Sequence, residues 1–160
     1  MKKKTQGIIV CGYQGVGKSS YCCPETGCID LESSCFWYGD TRVYEWYKYY
    51  ANIAMHLSNQ GFIVFTASHA VFRMHLHNIG CDFITLSPSL NLKDDWIKKL
   101  EERYYRTYEL KDYKAWKCAV EKFDDNITNL QREPKHIIID NIDYKFSDLV
   151  TEIKNIINKE

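Results

Sequence analysis

Eight residues near the start of the chain, Gly12-Tyr13-Gln14-Gly15-Val16-Gly17-Lys18-Ser19, follow the spacing G-x-x-x-x-G-K-S/T. That spacing suits a loop that wraps a phosphate with its backbone amides. Three glycines let the backbone curl round the anion with no Cβ in the way. Lys18 is placed to reach the β- and γ-phosphates of a nucleotide, and the Ser19 hydroxyl to ligate Mg²⁺. Ser20 continues the same turn and joins the candidate phosphate-binding set.

The elements on either side agree with this chemistry. Residues 7–11, Gly-Ile-Ile-Val-Cys, form a short apolar run that reads as a buried parallel strand. Residues 19–22 read as the start of a helix. A strand, a glycine loop and a helix N-terminus together make an anion cradle. A dinucleotide fold would need G-x-G-x-x-G, and Gly12, Gly15 and Gly17 fall at other intervals.

Apolar runs alternate with helical patterns along the rest of the chain. Strands are expected at 27–30, 62–66, 82–86 and 136–139. Helices are expected at 43–59, 70–77, 92–108, 112–130 and from Ser147, as the capping residue, through 157. This alternation predicts an α/β fold with a parallel sheet covered by helices on both faces. No linker or internal repeat divides residues 1–160, which predicts one domain.

Bulk properties exclude several classes of function. Lys plus Arg number 21, as do Asp plus Glu, so the formal net charge is zero. This gives no general field for nucleic acid. Met1-Lys2-Lys3-Lys4 is basic, but no apolar secretory core follows it, and no run approaches a membrane span. A soluble, cytoplasmic protein with no membrane partner is expected. The seven cysteines read as reduced thiols. Cys22, Cys23, Cys28 and Cys35 lack the paired spacing that usually holds zinc, and His69, His75 and His77 form only a weak metal pattern.

Two acids compete for a role beside the phosphate loop. Asp140 ends the run Ile137-Ile138-Ile139, as the magnesium-binding acid of an ATPase does, but lies far along the chain. Asp30 ends the second strand, at the sheet edge where the loop also lies, and is the better placed. It could orient an acceptor or hold Mg²⁺. Trp37 and Tyr38, ahead of the helical aromatic stretch, are candidates for stacking on a base.

Together the glycine loop, Ile29-Asp30-Leu31-Glu32-Ser33-Ser34, Ala67-Ser68-His69 with Arg73, residues 86–93 and Leu100-Glu101-Glu102-Arg103 resemble phage-encoded nucleoside monophosphate kinase-like proteins. The order of elements is also similar to gluconate and shikimate kinases. The resemblance implies a P-loop NTPase fold: a three-layer α/β/α arrangement, a five-stranded parallel sheet ordered 2-3-1-4-5, and a helical lid over residues 91–131. It implies ATP and Mg²⁺ as cofactors, with Gly12 to Ser20 on the phosphates and Ser19 and Asp30 at the metal. Lys18, Asp30, Arg73, Arg103 and Arg106 would be the catalytic set: Arg73 holds the acceptor's phosphate, and the other two arginines close over the γ-phosphate. The expected activity is phosphoryl transfer from ATP to a (deoxy)nucleoside monophosphate. A small-metabolite kinase and a nucleotide-binding regulatory protein remain open.

Overall fold

The computed structural model describes residues 6–159, so the basic start at Met1 to Lys4 lies outside the described residues. The chain runs β1 (Ile8–Gly12), α1 (Lys18–Tyr21), β2 (Cys28–Asp30), β3 (Trp37–Tyr38), β4 (Thr41–Arg42), α2 (Trp46–Asn59) and β5 (Ile63–Thr66). It continues with α3 (Ala70–Asn78), β6 (Phe83–Pro88), α4 (Lys93–Thr107), α5 (Leu110–Gln131), β7 (His136–Ile139) and α6 (Phe146–Asn158). Five strands form one parallel sheet in the order β2-β5-β1-β6-β7. The labels differ from the expected 2-3-1-4-5 because an antiparallel hairpin, β3–β4, is inserted between β2 and β5.

Side chains alternate across the central strand, so β1 is buried on both faces. Ile8 and Val10 point to a core shared with α4, α5 and α6, where Trp96, Leu100, Ala119, Phe123, Ile127 and Ile153 pack. Ile9 and Cys11 point to the opposite core, built with α2 and α3 from Tyr50, Ala54, Phe72 and Leu76. Helices therefore cover both faces, which is compatible with a three-layer α/β/α architecture. No helix among the described residues is long and apolar enough to cross a membrane.

Three boundaries depart from expectation for local reasons. Helix α2 begins at Trp46 rather than Val43, because the Val43 amide bonds the Phe36 carbonyl and Glu45 adopts a left-handed backbone with φ 52°. Helix α6 begins at Phe146, not after a Ser147 cap. The Phe146 ring packs on Tyr21 and Phe65, with centroids 5.2 and 5.0 Å away, which sets the helix start. The region expected to form a lid, 91–131, is an α4–α5 helical hairpin whose inner face belongs to the same core as β1, β6 and β7. Only its tip, where Tyr105, Tyr108 and Leu110 are exposed, stands clear of that core.

Phe123 joins α5 to the first layer below the glycine loop, meeting the Tyr13 ring edge-on at 5.8 Å. Phe123→Ala should therefore cost about 3–5 kcal/mol of stability through lost burial and the cavity left behind. Urea unfolding would show it; a midpoint close to the unsubstituted chain's would mean that α5 is not anchored there.

Candidate functional site

The glycine loop, the end of β2 and the outer half of α4 line a single cleft of about 470 Å³. It gathers Gln14, Gly15, Val16, Gly17, Lys18, Ser19 and Ser20 with Asp30, Glu32, Lys99, Arg103, Arg106, Lys111 and Asp112. Of the candidate residues, Gly12, Tyr13 and Arg73 do not line it. Gly12 is the last residue of β1, and the Tyr13 amide extends the sheet by bonding the Leu86 carbonyl at 2.8 Å. The Tyr13 ring is 2% exposed, turned into the core rather than toward the cleft.

The loop is shaped by side chains from distant parts of the chain. The Trp96 indole Nε1 donates to the Gln14 carbonyl at 2.8 Å, and the Tyr144 hydroxyl donates to the Val16 carbonyl at 2.5 Å. In a trans peptide the N–H points opposite to the C=O. The Gly15 and Gly17 amides are thereby turned away from these two donors, and neither meets a protein acceptor among the described residues. Glycine is required at 15 for two reasons: its φ is +87°, and an added Cβ would lie 2.9 Å from Leu100 Cδ2. Helix α1 spans only four residues, so its dipole adds little and the loop amides and Lys18 dominate.

Lys18 folds inward, and its Nζ donates to the Thr66 carbonyl at the end of β5, 3.3 Å away. Burial pushes its pKa below the ordinary lysine value, opposed by Asp30 and then Glu32. Burial also raises the Asp30 carboxyl pKa, with Lys18 opposing. The residues that follow β2 and β5 at this corner are both held by Tyr50. Its hydroxyl donates to the Leu31 carbonyl and accepts from the Ala67 amide at 2.9 Å.

The arginines have different surroundings. Arg103 Nε lies 2.9 Å from Asp112 Oδ1, and the Thr107 hydroxyl occupies the other oxygen of that buried carboxylate. Arg106 is exposed and makes no ion pair among the described residues. Arg73 is 8% exposed on the α3 side of the sheet. Its Nε donates to the Ser68 carbonyl, and its Nη1 lies 2.6 Å from Glu133 Oε1. Two of its nitrogens are thus engaged within the fold, and it lies outside the cleft where the expected acceptor phosphate would bind.

Other expected features also lie elsewhere. Asp140 is exposed beyond the edge strand β7, outside the cleft. Trp37 carries two cations over its ring, Arg42 at 4.3 Å and Lys114 at 4.5 Å, and neither Trp37 nor Tyr38 lines the cleft. Among the described residues no group of three His, Cys, Asp or Glu side chains is placed to hold a metal ion. For Mg²⁺ the cleft offers hard oxygen donors, the Ser19 hydroxyl and the Asp30 carboxylate, which match that ion's preference when phosphates and water complete the shell. The sequence reading missed Lys99 and Lys111. Lys99 was legible: 99, 103 and 106 fall at i, i+4 and i+7, one face of α4.

No protein-family model matches the chain, and no curated protein matches it.

If Arg73 serves the fold, Arg73→Met should destabilise the chain by about 1–3 kcal/mol, because Glu133, whose side chain is 12% exposed, loses its arginine and keeps only His77 at 2.6 Å. Adding Glu133→Leu should restore much of that loss. Equal stability of single and double variants in urea would count against the pairing. His69 gives a second expectation. It abuts Trp46 and accepts from Arg42 at 3.2 Å. The residue keeps solvent exposure, but partial burial of its ring, then Arg42 and Lys18, lower its pKa below the ordinary 6.5. Its contribution is complete above 6.5 and falls away as pH drops below that value, since the unfolded chain takes up a proton more readily than the folded one. His69→Gln should flatten that part of the stability profile; an unchanged slope would rule this contribution out.

Proposed function

We propose that the chain is an ATP-dependent phosphotransferase, with a (deoxy)nucleoside monophosphate as the favoured acceptor. One observation carries the reading. Residues 14–20, Asp30, Arg103 and Arg106, widely separated in sequence, face one cleft. The set supplies what phosphoryl transfer asks of a protein: fixed donors for phosphate oxygens, a lysine, a hydroxyl and a carboxylate for a divalent ion, and arginines for developing charge.

Bound MgATP would supply the phosphoryl group, and the protein's residues orient it. Gly15 and Gly17 amides and Lys18 hold the phosphate chain. Ser19 and Asp30 hold the metal, and Asp30 also orients the acceptor. Arg106, which has no acid partner, takes the part expected of Arg73 or neutralises the transferring group from the rim. Positioning and charge neutralisation provide the rate, since the reaction asks for little covalent work from side chains. A second reading, a nucleotide-binding regulatory protein, is favoured by the Arg103–Asp112 contact, which already spends one of the two rim arginines.

The test is ATP-to-ADP turnover with Mg²⁺ across nucleoside monophosphates, deoxynucleoside monophosphates and sugar acids. We expect one monophosphate to stimulate turnover with formation of its diphosphate, and Lys18→Ala to remove at least 100-fold of the rate, in line with about 3 kcal/mol for an oriented charge in a transition state. Stimulation by a sugar acid alone would move the chain to the metabolite kinases. ATP binding with no stimulated turnover would favour the regulatory reading. ATP binding that survives Lys18→Ala would sink the phosphate-loop assignment.

A further inference from the structure

We propose that Lys99 is a second phosphate-binding lysine of this cleft, carried by α4 and held against the glycine loop before any ligand arrives. The inference rests on the nucleotide-binding reading above and adds to it a residue and a mode of presentation.

Lys99 lines the cleft one helical turn before Arg103. Its Nζ stands 4.5 Å from the Trp96 ring centroid and 5.1 Å from that of Tyr144. It also donates to the Tyr144 hydroxyl at 3.4 Å. The two rings are nearly parallel, 8° apart, with centroids separated by 6.1 Å. These are the same two side chains that hold the Gln14 and Val16 carbonyls. The ammonium is thus indexed to the loop through its own braces, with one residue between the cation and each loop carbonyl.

No carboxylate answers this charge: Lys99 makes no ion pair among the described residues. Burial, and then the neighbouring Arg103, lower its pKa from the ordinary lysine value, so the fold carries a cost for keeping it charged. Aromatic faces offset part of that cost. A structural strut at this place would be better made by an uncharged side chain of the same length. A cation kept there without an acid partner suits an anion that arrives from outside. The placement also fits the packing of α4. Trp96 and Leu100 are fully buried beside the loop, so this part of the helix does not swing with a lid. Lys99 therefore meets the phosphates as a fixed group, unlike Arg106 at the exposed tip.

The experiment compares the full chain with Lys99→Met, Lys99→Arg and Lys18→Ala. It measures calorimetric affinity for MgATP and for inorganic tripolyphosphate, and the melting temperature without ligand. We expect Lys99→Met to weaken both ligands by a similar factor, about 10- to 100-fold as for loss of a charge-assisted hydrogen bond. Its unliganded melting temperature should equal or exceed that of the unsubstituted chain. Lys99→Arg should keep most of the affinity. A strut would behave in the opposite way, and a fall in melting temperature with Lys99→Met would overturn the proposal, as would unchanged affinity for both ligands. If Lys18→Ala loses affinity while Lys99→Met keeps it, this inference alone fails. If the unsubstituted chain binds neither ligand, the nucleotide-binding reading fails with it.

Discussion

Two hydrogen bonds to the glycine loop constrain the rest of this structure. Trp96 reaches the Gln14 carbonyl across 82 residues of sequence, and Tyr144 reaches the Val16 carbonyl across 128. A glycine-rich loop has many accessible conformations, and fixing one of them costs backbone entropy. Here donors from two distant segments impose the geometry in advance. For Trp96 to reach Gln14, α4 must lie directly against the loop, which leaves no room for a Cβ at Gly15. For Tyr144 to reach Val16, the segment after β7 must return over the same corner, bringing Phe146 against Tyr21 and Phe65. The packing of α4, α5 and α6 on one face of the sheet follows from a loop that cannot hold itself.

Local signals made much of the fold legible. The apolar runs that became β1, β5 and β6 are short, rich in β-branched residues and buried on both faces, while β7 at the sheet edge buries Ile137 and Ile139 and exposes Ile138. The loop motif was legible because its glycines and Lys18-Ser19 are adjacent in sequence. The β3–β4 hairpin was not, because it is two residues on each side and is held by non-local contacts. Arg42 binds Ser33 and His69 and stands over both Trp37 and Trp46. Helix α2 is shortened at its start by the same cluster.

The site divides in the same way. Lys18 and Ser19 were named from the motif, Asp30 from its strand end, and Arg103 and Arg106 from the family resemblance, and the fold brings all five to one cleft. The resemblance named Arg73 too, but its place in the sequence says which helix carries it and not what it meets. Its partner, Glu133, lies 60 residues on and just beyond α5. Tyr13 shows the reverse limit. A motif of backbone amides says nothing of where its variable side chains turn, and this one fills the core beneath α5.

The distribution of unpaired charge connects the fold to its chemistry. Several ions at the cleft answer one another: Arg103 with Asp112, and Lys111 with Glu109 at 3.4 Å. Among the described residues Lys99 and Arg106 make no ion pair, while Lys18, Asp30 and Glu32 bear on one another's charge without forming one. The carboxylates end β2 and follow it, while two of the cations belong to α4 and one to the loop. Burial works against the charged forms of Lys18, Lys99 and Asp30 alike. Replacing such charges with apolar groups is the cheaper solution for a fold alone. Their presence around the glycine loop makes chemical sense on the proposed reading, in which an anion and a divalent cation enter together, the phosphate chain meeting the lysines and the metal meeting Asp30. On that reading, the same charges that cost the fold stability are what would draw MgATP into the cleft.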